Sequence, residues 1–225
     1  MDTARKALTE ALALYQRAGN ERGRVRVLND LGGVEWVAGS SERAIAWHEQ
    51  ALAISERLDE PKEMARSLHY LADSLRDTGE FERATELLIR SIEILRERGL
   101  GSGQCALHSL GDLSLDKGDL PGAARYYRAA LAFGIEEEDR RHCAYCLAGL
   151  ACVAARNHDA PAAGRLWTLA EQIEHEIGFR MLAAERGRYE RTLTPALRDT
   201  DGYRAGIEAA AGLDPLTAAA EILRT

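Results

Sequence analysis

Along the chain a leucine followed by glycine or alanine returns at nearly fixed spacing. Leu31-Gly32, Leu71-Ala72, Leu110-Gly111 and Leu150-Ala151 are separated by 40, 39 and 40 residues. A period in this range marks a stacked repeat, in which each unit buries its apolar face against the next. When segments starting at Val25, Ala65, Gln104 and Ala144 are aligned, small residues coincide at Ala44, Ala84, Ala123 and Ala163, then at Ala51, Ser91, Ala130 and Ala170. These are the points where two helices must approach closely. One bulky slot lies between each pair of small positions, filled by His48, Leu88, Tyr127 and Trp167. Gly39, Gly79 and Gly118 stand at the turns, where a residue tolerant of positive φ is favoured, and His158 takes the fourth place. Pro61, Pro121 and Pro161 each follow a polar start and mark helix openings. The pattern predicts an all-α solenoid of antiparallel helix pairs, with repeats at about 25–58, 65–98, 104–137 and 144–177.

Extending the register outward describes both ends. Ala4, Leu8, Ala11 and Leu12 match second-helix positions of a repeat whose first helix is missing, so residues 2–20 read as a half repeat. An apolar face left for an absent helix would be exposed, and the expectation is that the chain belongs to a longer array. After residue 178 the period ends, and helical patterns follow at about Leu182 to Arg198, Asp201 to Ala211 and Pro215 to Leu223. Asp214-Pro215 reads as an N-cap followed by the first helical residue. Residues 179–225 are expected to form capping helices on one continuous domain, 1–225. The sequence leaves open whether they cap the last repeat or lie in the groove.

The signature resembles the tetratricopeptide repeat, through Leu28-x2-Leu31-Gly32, Ala44-x3-His48 and their equivalents over residues 25 to 177. The resemblance implies a right-handed superhelix. Two departures stand out: the usual first-helix aromatic is replaced by Glu35, Leu75, Ser114 and Ala154, and the period exceeds the common value of about 34. Such long repeats resemble those of large actinobacterial-type LuxR/SARP-like STAND ATPase regulators. In these, a nucleotide-switching module precedes a tetratricopeptide sensor, often with a transcription-factor domain elsewhere in the chain. Ala184-Glu185-Arg186-x2-Tyr189-Glu190-Arg191 and Ala205-Gly206-Ile207 resemble the C-terminal ends of such regulators. This resemblance implies a non-enzymatic sensing or protein-interaction module, with a flanking ATPase or DNA-binding module in a parent chain.

Composition narrows the partners. A formal charge of −7, from 36 acidic and 29 basic residues, opposes contact with a phosphate backbone, so direct nucleic-acid binding is not expected. The sequence has no apolar run long enough for a membrane span and no signal-peptide core after Met1, which points to a cytoplasmic protein. Cys105, Cys143, Cys146 and Cys152 fall inside helical patterns, where a reducing cytosol keeps them as thiols.

Candidate chemistry follows from the repeat register. In the tetratricopeptide architecture, first-helix positions 2, 5, 9 and 12 share one face and line the concave groove. Position 2 reads Arg26, Arg66, Cys105 and Tyr145, and position 5 reads Asn29, His69, His108 and Ala148. Position 9 reads Gly33, Asp73, Asp112 and Cys152, and position 12 reads Trp36, Arg76, Leu115 and Ala155. The groove candidates are therefore Arg26, Asn29, Trp36, Arg66, His69, Asp73, Arg76, His108, Asp112 and Tyr145. The arginines suit acidic or carboxylate groups, and Trp36 and Tyr145 suit apolar ones. The occupant is expected to be a peptide, a partner helix or a small effector.

His69 with Asp73 and His108 with Asp112 are i,i+4 pairs on neighbouring repeats and could in principle hold a divalent metal. The favoured reading is a hydrogen bond from each His to its own Asp, with no metal and no cofactor. His142-Cys143-x2-Cys146 is half a zinc motif without its second half, and buried thiols are the simpler reading. The Gly99 to Gly103 loop lacks the strand and the Lys-Ser/Thr of a phosphate loop. Alternatives to the regulator reading are a freestanding adaptor and a homo-oligomerising scaffold, the former weakened by Gly33, Asp73, Asp112 and Cys152 where a carboxylate clamp needs Asn.

Overall fold

The computed structural model describes residues 1–224, which form twelve α-helices and, among the described residues, no strand. They are α1 (Asp2–Arg17), α2 (Glu21–Val37), α3 (Ser41–Arg57), α4 (Pro61–Asp77), α5 (Phe81–Glu97) and α6 (Gln104–Asp116). They continue with α7 (Leu120–Glu136), α8 (Arg140–Arg156), α9 (Ala160–Glu176), α10 (Ala183–Leu193), α11 (Thr200–Ala210) and α12 (Pro215–Ile222). A 3-10 turn, Ala196–Arg198, separates α10 from α11. The chain forms two compact units, residues 1–109 and residue 110 onward, with the boundary inside α6.

The period has a local cause. Most of the repeat helices are 17 residues long and are joined by three-residue turns, so one pair and its two turns make the 40-residue step. Each turn repeats one hydrogen-bond pattern: the amides of Asn20, Ser40, Glu60, Glu80, Asp119, Asp139 and Asp159 bond the carbonyl five residues back. This is the Schellman ending, which needs positive φ at the preceding residue. Gly19, Gly39, Gly79 and Gly118 supply it, and Asp59 (φ 48°), Glu138 (φ 55°) and His158 (φ 59°) adopt it without glycine. The residue that closes one helix also caps the next: Asn20, Asp119, Asp139 and Asp159 accept from the amides of Gly23, Gly122, His142 and Ala162 at 2.9–3.0 Å. The six residues between α5 and α6, together with a 13-residue α6, give the single 39-residue step.

In the first unit α2 packs on α1 and α3, and α4 on α3 and α5. The small residues predicted at close approaches are fully buried. Ser91, the one hydroxyl among them, donates to the Ala65 carbonyl at 2.8 Å. The bulky slot faces the Leu-Gly step: a Cβ on Gly32 would overlap the His48 ring. His48 is buried and bonds Asn29 Oδ1 through Nδ1 at 3.1 Å. Burial lowers its pKa to about 4, so the ring is neutral at pH 7.

In the second unit the same slot belongs to Tyr127, wedged between two helices. A Cβ on Gly111 or on Gly149 would lie 2.6 or 2.5 Å from its ring carbons. Beyond α9 the stack is extended by α11, whose backbone approaches α9 at a crossing of two glycines. A Cβ on Gly206 would lie 2.8 Å from the Arg165 amide nitrogen, and one on Gly164 would overlap the Tyr203 carbonyl. α12, opened by Asp214 accepting from the Thr217 amide at 2.8 Å, packs against α9.

Candidate binding face

The groove candidates divide according to their unit. In the first unit, Arg26 is 68% exposed at its side chain and pairs through Nε with Glu63 at 3.2 Å. Arg66 pairs with the second oxygen of the same Glu63. One carboxylate is thus shared between two guanidiniums at this end of α2 and α4, and the nearby Asp30 carboxylate also acts on Arg66. At the other end, Trp36 is half-buried and its Nε1 donates to Asp77 Oδ2 at 2.6 Å. Arg76, largely buried, reaches the other oxygen of Asp77 at 3.5 Å. His69 and Asp73, both half-buried, form the expected i,i+4 contact at 3.4 Å, while His69 Nε2 also meets Ser109 Oγ at 3.0 Å. Gly33 lies on this face with open space around the position its Cβ would occupy.

Asn29 departs from the expected open groove. It is 1% exposed, donates through Nδ2 to Ser67 Oγ at 2.9 Å and accepts from His48. This amide is an interior link between α2, α3 and α4, because each of its polar atoms is taken by a neighbouring helix. His108 is likewise buried.

The second unit departs further. Asp112 is buried and bonds Arg188 Nη2 at 2.5 Å and the Tyr127 hydroxyl at 2.5 Å, with the Tyr189 hydroxyl at 3.4 Å. The repeat register foresees only His108 as its partner. Burial, and then the Asp112 carboxylate, hold both tyrosine hydroxyls far above their ordinary pKa, so they remain protonated and donate. Arg188 and Tyr189 belong to α10. The same helix receives a hydrogen bond from Cys152 Sγ at the Tyr189 carbonyl, and the Leu182 amide before it donates to the Tyr145 hydroxyl at 3.3 Å. Asp112, Cys152 and Tyr145 are all first-helix positions 2 or 9. Thus α10 lies on the first-helix face of the second unit, while α11 and α12 pack on α9.

Arg186 anchors the start of α10. Its three nitrogens reach Glu190, Glu174 and Glu171 at 2.5–2.8 Å, and its guanidinium stands over Trp167 at 5.1 Å. Tyr145 is half-buried beside Phe179, its ring centroid 5.9 Å away. The register exposed none of these contacts, because α10 lies outside the repeat.

No group of three or more His, Cys, Asp or Glu suited to a metal occurs among the described residues. Cys143, Cys146 and Cys152 are buried, and burial pushes the Cys143 thiol up to about 12. No helix among the described residues is long and apolar enough to cross a membrane.

This arrangement has known counterparts. Residues 1–57 and 23–97 match the tetratricopeptide repeat family model. The match lies within the first unit, over its tetratricopeptide-like helix pairs. The fold is similar to the crystal structure of BtubC (BKLC) from P. vanneervenii, with TM-score 0.69, 15% identity and coverage of 99% of this chain and 92% of that one. It is also similar to a putative kinesin light chain with nearly identical TPR-like repeats from Podospora anserina, with TM-score 0.58, 18% identity and coverage of 89% and 95%. A second crystal structure of the latter, a point variant, gives TM-score 0.57 at 18% identity, covering 79% and 88%. At such identities the likeness is one of fold. Among curated proteins no relative matches the chain. Tetratricopeptide repeats form a protein-interaction module, built from a surface repeated along stacked helices.

Proposed function

We propose that the chain is a non-enzymatic binding module whose working surface is the first-helix face of α2 and α4. The observation that carries this reading is the placement of α10. In the second unit the first-helix positions are covered by a helix of the chain itself, whereas in the first unit Arg26, Gly33, Trp36, Arg66 and Asp73 keep solvent contact. This face offers two partly neutralised guanidiniums at one end, a half-buried indole at the other, and a glycine between them that admits close backbone approach. A peptide or helix with a carboxylate near an apolar residue complements it.

Peptides selected on the intact protein from a random library, followed by oxidative footprinting, test the reading. Binding there protects Trp36 and exposed Tyr70; protection confined to Tyr145 and Phe179 would place the ligand elsewhere.

The finer proposal, that this module is the sensor of a larger ATPase-coupled regulator, rests on the long repeat period and the resemblance of the α10 and α11 segments. Its test is the full reading frame: a nucleotide-binding or DNA-binding module in the same frame supports it, and a frame holding only this array removes it.

A further inference from the structure

A cleft of about 320 Å³ in the second unit is lined by Arg156, Arg188, Arg191, Thr192 and Pro195. Three of its five residues are arginines, in a chain whose net charge is −7. The convergence comes from two helix ends. Arg156 closes α8, while Arg188 and Arg191 stand i,i+3 on α10 and so share one face, which α10 turns toward α8.

The charge balance is incomplete. Arg188 gives Nη2 to Asp112 at 2.5 Å, but Asp116 stands 3.9 Å from Nη1, beyond hydrogen-bonding reach. Nε and Nη1 of Arg188 are buried with no hydrogen-bond partner. Leaving such donors unmade is costly, more so on a charged group. Arg156 and Arg191 have no carboxylate within ion-pair distance among the described residues. Three guanidiniums thus face two carboxylates around one open cleft. The Thr192 hydroxyl donates to the Arg188 carbonyl at 3.0 Å, so recognition falls to the arginines. Guanidinium forks match the paired oxygens of a phosphoryl group.

We propose that this cleft is an oxyanion site that takes a phosphoryl group, held chiefly by Arg156 and Arg191 with Arg188 supplying field from below. A bound phosphoryl group would offset the excess positive charge and link α10 to the end of α8. The site is separate from the α2 and α4 face and stands or falls without it.

The test titrates inorganic phosphate, and separately phosphoserine, into the full chain at pH 7.5 and fixed ionic strength, read by calorimetry and thermal midpoint. Expected is one saturable site, with a dissociation constant on the order of 1 mM. The Arg156→Gln/Arg191→Gln variant should bind at least tenfold more weakly with unchanged far-ultraviolet circular dichroism, since both side chains are exposed. Arg156→Lys should fall between, because it keeps the charge and loses the fork. Tighter phosphoserine than phosphate assigns the site to a phosphorylated side chain, and the reverse to a free anion; either supports the proposal. Equal affinity in the double variant, or a response that chloride of the same ionic strength reproduces, means an adventitious ion only and overturns it.

Discussion

Arg188 Nη2 meets Asp112 Oδ2 at 2.5 Å, joining α10 to α6 inside the second unit. The pair decides which surface of that unit remains for ligands, because it fastens α10 over the positions that a repeat ordinarily presents. Tyr127 and Tyr189 complete the enclosure with their hydroxyls. Removing one member of a buried pair leaves a charge without compensation, which costs about 3–5 kcal/mol. Arg188→Met should therefore lower the stability measured by urea unfolding by that amount, and Arg188→Met with Asp112→Asn should recover most of it. An additive loss in the double variant would show that the pair is not coupled.

Gly111 and Gly33 both sit inside helices, yet alanine should act oppositely at the two. Gly111→Ala drives a methyl into the Tyr127 ring, and overpacking of this kind costs about 1–3 kcal/mol. Gly33→Ala meets open space and gains helix propensity, up to about 1 kcal/mol. Thermal unfolding of the two variants distinguishes them.

His48 makes the fold acid-sensitive. Its folded pKa of about 4 lies below the ordinary 6.5, so the unfolded chain takes up a proton that the folded chain refuses. This contribution is constant above pH 6.5, falls as pH drops from 6.5 toward 4, and reaches a loss of roughly 3 kcal/mol. His48→Gln should flatten the pH dependence of unfolding free energy within this window. An unchanged slope in the variant would assign the acid sensitivity to other groups.

Thiol reactivity separates the four cysteines. Cys105 is exposed and should react with a disulfide reagent in the native protein. Cys143, Cys146 and Cys152 are buried, and burial raises the pKa of Cys143 and Cys152, so all three should react only on unfolding. A native count above one would contradict the packing of α8.

The repeat was legible because its causes are local. Helix length, the Schellman ending and the cap that follows are all written within a few residues, and a small residue opposite a bulky one repeats at the helix crossings. Even His158, at the place of a turn glycine, keeps φ 59°. The candidate face was legible only in part. Positions 2, 5, 9 and 12 fix a direction from the helix axis but not what lies in front of them. Asn29 is covered by Ser67 and His48, and Asp112 by a residue 76 positions away. Arg188 carries no periodic mark, and its spacing from Arg191 becomes informative only once α10 is known to face α8.

An open binding face on α2 and α4, with α10 closing the corresponding face of the second unit, is tested most directly by one affinity series. The measurement is the dissociation constant of a library-selected peptide for the intact protein, for Trp36→Ala, for Arg66→Glu and for Arg191→Gln. Binding should be at least tenfold weaker in the first two variants and unchanged in the third. Equal binding to Trp36→Ala and Arg66→Glu, with loss confined to Arg191→Gln, would contradict it.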